Sequence, residues 1–225
     1  MKETLRRLRP ELTEEQLDRF GAYYALLTEW SARMNLTAIT EKEDVAKKHF
    51  VDSLAAEPYL KRGACVADVG TGAGFPGLPL FIVRPDLKLT LIDSLNKRVT
   101  FLKTVCETLG LNAACLHMRA EDAGRDPRYR GKFDAALTRA VSALPVLAEL
   151  TVPLIKVGGI SIAYKGDASG ELESAKNALR LLHAEAKKIG VPSDYGVRSL
   201  IVMKKTAPTP KMYPRKAGTP AKKPL

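Results

Sequence analysis

The chain has 225 residues, is 45% hydrophobic and carries a formal net charge of +11. That is enough apolar content for the core of one large domain, or one domain with appendages. No run approaches the roughly 18 apolar residues of a membrane span, and MKETLRRLRP at the start lacks the apolar centre of a secretory signal, so a cytoplasmic globular protein with no membrane partner is expected. Cys65, Cys106 and Cys115 sit in apolar stretches without CxxC spacing or neighbouring histidines. They read as buried free thiols, and no metal is expected. The basic excess is local: Lys204 to Leu225 holds seven basic and no acidic side chains. Charge concentrated in this way points to a polyanion, most simply nucleic acid.

In chain order, residues 1–64 read as a helical appendage. Thr13 and Gln16 fit a capping box, and Leu17, Phe20, Tyr24, Leu27 and Trp30 recur at helical spacing. That stripe is expected to pack on the main domain. Thr40 and Glu43 predict a second capped helix leading to His49, Asp52, Ser53 and Leu54. Residues 65–203 then alternate strand and helix signals, as in a Rossmann-like α/β domain with a seven-stranded, mostly parallel sheet and helices on both faces. Its strands are expected at Cys65–Val69, Leu87–Ile92 ending at Asp93, Ala113–Met118, Phe133–Thr138 with Arg139 at its carboxyl end, ISIAY ending at Lys165, Ala184–Ile189 and Val197–Met203, with the last pair antiparallel. A helix through Leu109 stops at Gly110, Arg125 to Gly131 reads as a loop, Ser142 as a helix cap, and Ser169–His183 as one helix. Residues 204–225 form a basic tail with five prolines and no apolar period. An extended or disordered tail is expected until something binds it; an RNA backbone and plain solvent are both open readings.

The stretch VADVGTGAGFPGLP, Val66 to Pro79, organises the domain. A strand breaks into glycines at 70, 72 and 74, which allow φ > 0 and let a ligand lie against the backbone. No Lys-Ser/Thr pair follows, which removes the phosphate loop of nucleoside triphosphatases. Gly72, Gly74 and Gly77 match the dinucleotide pattern GxGxxG, with Asp93 placed for a ribose. Asp68, two residues before Gly70, favours another ligand. A carboxylate there attracts a cationic α-amino group and repels a pyrophosphate. S-adenosylmethionine has that amine and no phosphate; its ribose would meet Asp93 and its adenine Ala120 and Glu121. A partner for the helix dipole is the alternative role of Asp68.

The acid–glycine pattern resembles class I S-adenosylmethionine-dependent methyltransferases, and LIKVGG resembles a turn common before their fifth strand. More narrowly, DVGTGAGFPGLPL, DSLNKRVTFL, RAV after the fourth strand, NLTAI, HFVDSL and YPRKAGTPAKKPL resemble the bacterial 16S ribosomal RNA guanine-N7 methyltransferase family, also called the glucose-inhibited division protein B family. The likeness spans about residue 20 to the C-terminus. It implies cofactor contacts at Gly70, Phe75, Asp93, Ala120, Glu121 and Arg139, with Phe75 covering the ligand; the acid–glycine loop itself adds Asp68 and Gly72 as cofactor candidates. For Arg139 a surface salt bridge is the alternative.

The resemblance implies a 16S ribosomal RNA substrate, naked or in the small-subunit particle, methylated at a decoding-region guanine; a monomer is expected. Guanine N7 has an in-plane lone pair and no proton to lose, so no general base is expected. The Asn- or Asp-Pro-Pro-aromatic motif of exocyclic-amine methylation is missing, since Thr138, Arg139, Ala140 and Val141 stand in its place. Arg139, Lys165 and His49 are candidates for positioning the guanine. Lys204, Lys205, Lys211, Tyr213, Arg215, Lys216, Lys222 and Lys223 are the candidates for RNA. Competing functions are an NAD-dependent oxidoreductase and an RNA-binding protein without catalysis.

Overall fold

Thr13 opens the longest helix of the computed structural model, which describes residues 1–139 and 142–225. Gln16 N donates to Thr13 Oγ1 at 3.3 Å and Thr13 N to Gln16 Oε1 at 3.0 Å, the expected capping box. After helix α1 (Lys2–Leu8), helix α2 (Glu14–Met34) buries Leu17, Phe20, Tyr23 and Leu27. The inward tyrosine is thus Tyr23, one place before the expected Tyr24, whose hydroxyl donates outward to the Thr40 carbonyl at 3.1 Å. Trp30 is half-buried, 5.5 Å from the Phe101 ring. The second capping box does not form: helix α3 (Lys42–Asp44) starts after Glu41 with no side-chain cap. It runs into a π-helical segment, Val45–Val51, and then a 3-10 segment, Leu54–Tyr59. The wider π-helical turns recur at functional sites.

The alternating part follows as β1 (Cys65–Val69), α4 (Gly77–Val83), β2 (Lys88–Asp93), α5 (Asn96–Leu109), β3 (Ala114–His117), α6 (Ala120–Arg125), β4 (Phe133–Arg139), α7 (Leu144–Thr151), β5 (Ile155–Lys165), α8 (Glu171–Ser174), α9 (Lys176–Leu182), β6 (Ala184–Val191) and β7 (Arg198–Lys205). The sheet order is β3-β2-β1-β4-β5-β7-β6, with β7 antiparallel to both neighbours and the other pairs parallel. Three expectations change. The IKVGG stretch belongs to β5, with a register shift where Phe133 pairs Ile155 and Ala135 pairs Ile160. Ser142 does not cap α7; Glu171 Oε2 accepts from the Leu144 amide at 2.8 Å instead. The helix expected over Ser169–His183 divides at Ala175. Of the RAV motif, Ala140 and Val141 lie outside the described residues.

Strand alternation divides the core between two faces. Leu91, Leu137 and Ile162 pack with α2, α4 and α5, whereas Ala163, Ile201 and Met203 pack with α7 and α9. The N-terminal helices therefore complete one face of the sheet. Tyr164 ties them to β5, donating to the Ser53 carbonyl at 2.6 Å and accepting from Ala56 N at 3.2 Å. Tyr23 donates to the carbonyl of Ala73 inside the glycine loop. Tyr23→Phe is expected to cost about 1 kcal/mol and lower the melting temperature by roughly 2–4 °C. Thermal unfolding checks this, and an unchanged transition would leave the bond without weight.

The C-terminal segment departs most from expectation. Thr209, Tyr213 and Pro214 are buried, and a short helix α10 (Thr219–Lys222) follows. Hydrogen bonding explains the difference: Arg125 and Arg130 donate to the carbonyls of Thr209, Pro210, Tyr213 and Pro214. Polar fastening of this kind leaves no apolar period. Of the cysteines, Cys106 is buried and Cys65 and Cys115 are half-buried, all three free. Among the described residues no helix is long and apolar enough to cross a membrane.

Candidate active site

The glycine loop turns off the carboxyl end of β1. Gly70 and Thr71 donate their amides to the Ile92 carbonyl at 2.9 and 3.3 Å, so the loop is stitched to the end of β2. Asp68 lies fully buried beneath it. Its Oδ2 accepts from Thr71 Oγ1 at 2.7 Å and from Gly77 N at 2.8 Å. The approach is so close that a Cβ on Gly77 would lie 2.7 Å from that oxygen. Burial pushes the Asp68 carboxyl up to about 6, against the lowering effect of those bonds. Asp68 therefore braces the loop and the start of α4, the alternative role considered for it. Its Oδ1 has no partner among the described residues.

Beside the loop, a cavity of roughly 140 Å³ is lined by Val69, Gly70, Asp93, Ala120, Glu121 and Leu150, among others. Gly70, Asp93, Ala120 and Glu121, all candidates from the sequence, meet here. Asp93 Oδ2 accepts from Gly72 N at 2.9 Å, and Oδ1 from Leu95 N at 2.9 Å. Gly72 thus shapes the cavity through Asp93. Ala120 and Glu121 open α6, with Arg119 as its N-cap.

A second cavity, of about 430 Å³, lies at the carboxyl ends of β4 and β5 and is lined by Lys48, His49, Arg139, Lys165, Tyr195 and Arg198, among others. All three residues expected to position a base are present. Arg139 Nη2 donates to His49 Nδ1 at 3.2 Å, so Nε2 carries the ring proton towards Thr37 Oγ1, 2.8 Å away. Burial, and then the Arg139 charge, push His49 down to about 4. His49 is therefore a neutral acceptor that holds Arg139. Lys165 Nζ donates to the Ser142 carbonyl at 2.7 Å and pairs with Glu171 at 2.8 Å. Phe75 lies under this cavity: His49 stacks on its ring at 4.5 Å and the Arg139 guanidinium sits 4.8 Å from its centre. Its place is beneath these two side chains, apart from the cavity beside Gly70.

Asp52 is the electrostatic centre. It is 6% exposed and accepts from Arg198 Nε at 2.7 Å, Arg198 Nη2 at 2.6 Å, Tyr195 Oη at 2.8 Å and Arg139 Nη1 at 3.3 Å. Arg139 is therefore paired within the site, and the surface salt bridge does not describe it. Sequence reading missed Tyr195 and Arg198 as site residues, because no local motif links a loop and strand start to an acid more than 140 residues earlier. In the C-terminal segment, Lys204, Lys211, Lys216, Lys222 and Lys223 are exposed. Lys205 is buried and donates to the Val152 and Ile155 carbonyls, Tyr213 is 6% exposed, and Arg215 is paired with buried Glu149. Those three RNA candidates are engaged inside the fold.

The donor set fits S-adenosylmethionine on one structural observation above all. Asp68 Oδ1 and Thr138 Oγ1, at the ends of neighbouring strands β1 and β4, are buried oxygens without partners among the described residues. A cationic amine and a carboxylate are groups that such atoms would accept from and donate to.

Comparison with known proteins agrees. A family model described as rRNA small subunit methyltransferase G matches residues 16–198. A protein of that name from Desulfitobacterium hafniense is 49% identical, covering 99% of this chain and 95% of its own. Another from Acetivibrio thermocellus is 48% identical, covering 95% and 90%. Among solved structures, a SAM-dependent methyltransferase from Aquifex aeolicus superposes with a TM-score of 0.55 at 18% identity over 75% of this chain and 96% of that one, which is a likeness of fold. Sheet order, acid–glycine loop and near full-length identity agree on one assignment, and the chain belongs to the rRNA small subunit methyltransferase G family.

Proposed function

We propose that this protein, a cytoplasmic monomer, transfers a methyl group from S-adenosylmethionine to N7 of a guanine in the decoding region of 16S ribosomal RNA. The observation that carries the reading is the pair of cavities at the carboxyl ends of the parallel strands. The first gathers the glycine loop, Asp93, Ala120 and Glu121; the second gathers Arg139, His49 and Arg198. S-adenosylmethionine supplies an electrophilic methyl group on a sulfonium. The chain's own residues bind and orient. Asp93 accepts from the ribose hydroxyls, the backbone of Ala120 and Glu121 meets the adenine edge, and Asp68 Oδ1 takes up the cationic amine.

In the second cavity Arg139 and Arg198 present positive charge to RNA, and Arg139 donates to the guanine's acceptor edge. The paired, neutral His49 serves no proton transfer, as N7 requires. Exposed Lys204, Lys211, Lys216, Lys222 and Lys223 supply phosphate contacts. The test is methyl transfer to naked 16S RNA and to 30S particles from a strain lacking the activity, with the product read by mass spectrometry as 7-methylguanosine. Transfer to neither substrate, or NADH binding without S-adenosylhomocysteine binding, would defeat this reading.

Asp68 predicts a pH dependence. In the free protein its carboxyl is pushed up to about 6, so below that pH it is mostly protonated and offers no charge to the amine. Binding to the carboxylate releases this proton. S-adenosylhomocysteine affinity is therefore expected to rise with pH up to the region of pH 6 and then level, at a limiting slope of about tenfold per pH unit. Calorimetry between pH 5 and 7.5 measures this, and Asp68→Asn should flatten the profile. A flat profile in the unaltered protein would place the amine elsewhere.

A further inference from the structure

The C-terminal segment is fastened to the two helices that line the cavity beside the glycine loop. Arg125 Nε donates to the Pro214 carbonyl at 2.8 Å, and Arg130 Nη1 to the Tyr213 carbonyl at 2.6 Å. Arg215 then meets Glu149 of α7 through three donors: its amide at 2.7 Å, Nε at 2.9 and 3.1 Å to the two carboxylate oxygens, and Nη2 at 2.6 Å. Glu149 is 0% exposed, and the next residue, Leu150, lines the cavity. Three residues further, the Gly218 amide donates to Glu121 Oε1 at 2.8 Å. Glu121 is itself a lining residue. Pro214 rests on α6 so closely that a Cβ on Gly124 would lie 2.8 Å from its Cγ.

Helix α6 has six residues and buries only Ala123 and Gly124. A helix this short does not fix its own position by propensity or by burial. The strap supplies what it lacks: Pro214 against Gly124, Arg125 on the Pro214 carbonyl, and the Gly218 amide on Glu121. With the Glu121 side chain turned to the strap, its backbone is left for a ligand in the cavity.

We propose that the C-terminal strap, residues 206–225, is a built part of the cofactor subsite, with Arg215 and Gly124 as positioning residues that set α6 for the adenine end of the ligand. The inference rests on the S-adenosylmethionine reading and goes beyond it, since it gives the inner side of this basic segment a cofactor role whatever its outer lysines contact.

The experiment uses the full chain and its Arg215→Gln and Gly124→Ala variants. Binding of S-adenosylhomocysteine and of its inosine analogue, which lacks the adenine amine, is measured by calorimetry, with thermal unfolding as the control for folding. Coupling of this sort is worth about 0.5–2 kcal/mol, so S-adenosylhomocysteine affinity is expected to fall by more than twofold and up to roughly 30-fold in each variant. The preference for adenine over hypoxanthine is expected to shrink alongside. Variants that remain folded and bind S-adenosylhomocysteine within twofold of the parent overturn the inference, as does an equal loss for both ligands, which a merely structural role would give. If Arg215→Gln unfolds because Glu149 is left unpaired, Gly124→Ala decides, since it keeps that pair. Failure of the parent chain to bind S-adenosylhomocysteine would instead overturn the cofactor reading itself.

Discussion

Asp93→Ala is expected to weaken S-adenosylhomocysteine binding on the order of 10²–10³-fold. A ribose diol would donate two hydrogen bonds to the carboxylate; bonds to a charged acceptor are worth about 1.5–3 kcal/mol each, and the lower half of that range applies because the carboxylate oxygens already accept from backbone amides. The structure shows how the acceptor capacity is divided. Oδ2 takes Gly72 N at 2.9 Å and Arg98 Nη1 at a marginal 3.5 Å, and Oδ1 takes only Leu95 N. With two lone pairs on each oxygen, Oδ1 keeps one free and Oδ2 gains one by releasing the weak Arg98 contact. Alanine also leaves the Gly72 amide without its partner, so the loop relaxes as well. Asp93→Asn, which keeps one carbonyl oxygen, is expected to lose about tenfold. Calorimetry at constant pH reads both values. A loss below tenfold for alanine would show that the ribose does not lie at Asp93.

The second large effect concerns stability. Asp52→Ala removes the single carboxylate shared by Arg139, Arg198 and Tyr195, all on the rim or floor of the second cavity. Its side chain is 2% exposed, and those of Arg139 and Arg198 are 11% and 21% exposed. Breaking a buried pair from one side leaves uncompensated charge and costs about 3–5 kcal/mol. For a chain of this size that corresponds to a fall in melting temperature of roughly 6–20 °C. The loss should persist at high salt, because screening reaches buried pairs poorly. Scanning calorimetry at low and high ionic strength measures it. A fall under 2 °C, or one that salt abolishes, would mean that the cluster behaves as surface charge.

These two acids differ in how readily the sequence reveals them. Asp93 ends an apolar run and is followed by a helix pattern, so strand, turn and ligand role share one local signal. The glycine loop and the capping box at Thr13 were legible for the same reason, since each is a short-range chemical need met by adjacent residues. Asp52 was visible only as a neighbour of His49. The nearer of its two arginines comes from β7, and nothing local in GVRSL marks Arg198 as its partner. Tyr23 and Tyr24 are both aromatic and one place apart, so periodicity left the inward one ambiguous until the Ala73 carbonyl supplied a partner. The tail was misjudged because arginines holding carbonyls produce no hydrophobic pattern. One sign was present in the other direction: Glu149 stands in the apolar helix LPVLAELT, and an acid there needs a cation from elsewhere in the chain.

Sheet order also has a consequence for synthesis. Strand β7 lies between β5 and β6, yet it is the last of the seven to be made. Until Lys205 has been added and cleared the ribosome, the inner edge of β5 has no neighbour, and β6 has nothing in the sheet to pair with. About 40 residues separate the end of β5 from the end of β7, which at ~5–20 residues per second keeps that edge bare for roughly 2–8 s. An unpaired edge invites pairing with other chains. The nascent protein therefore carries an open edge at β5 for as long as β7 is unmade, and the sheet closes only when the last of these strands has followed.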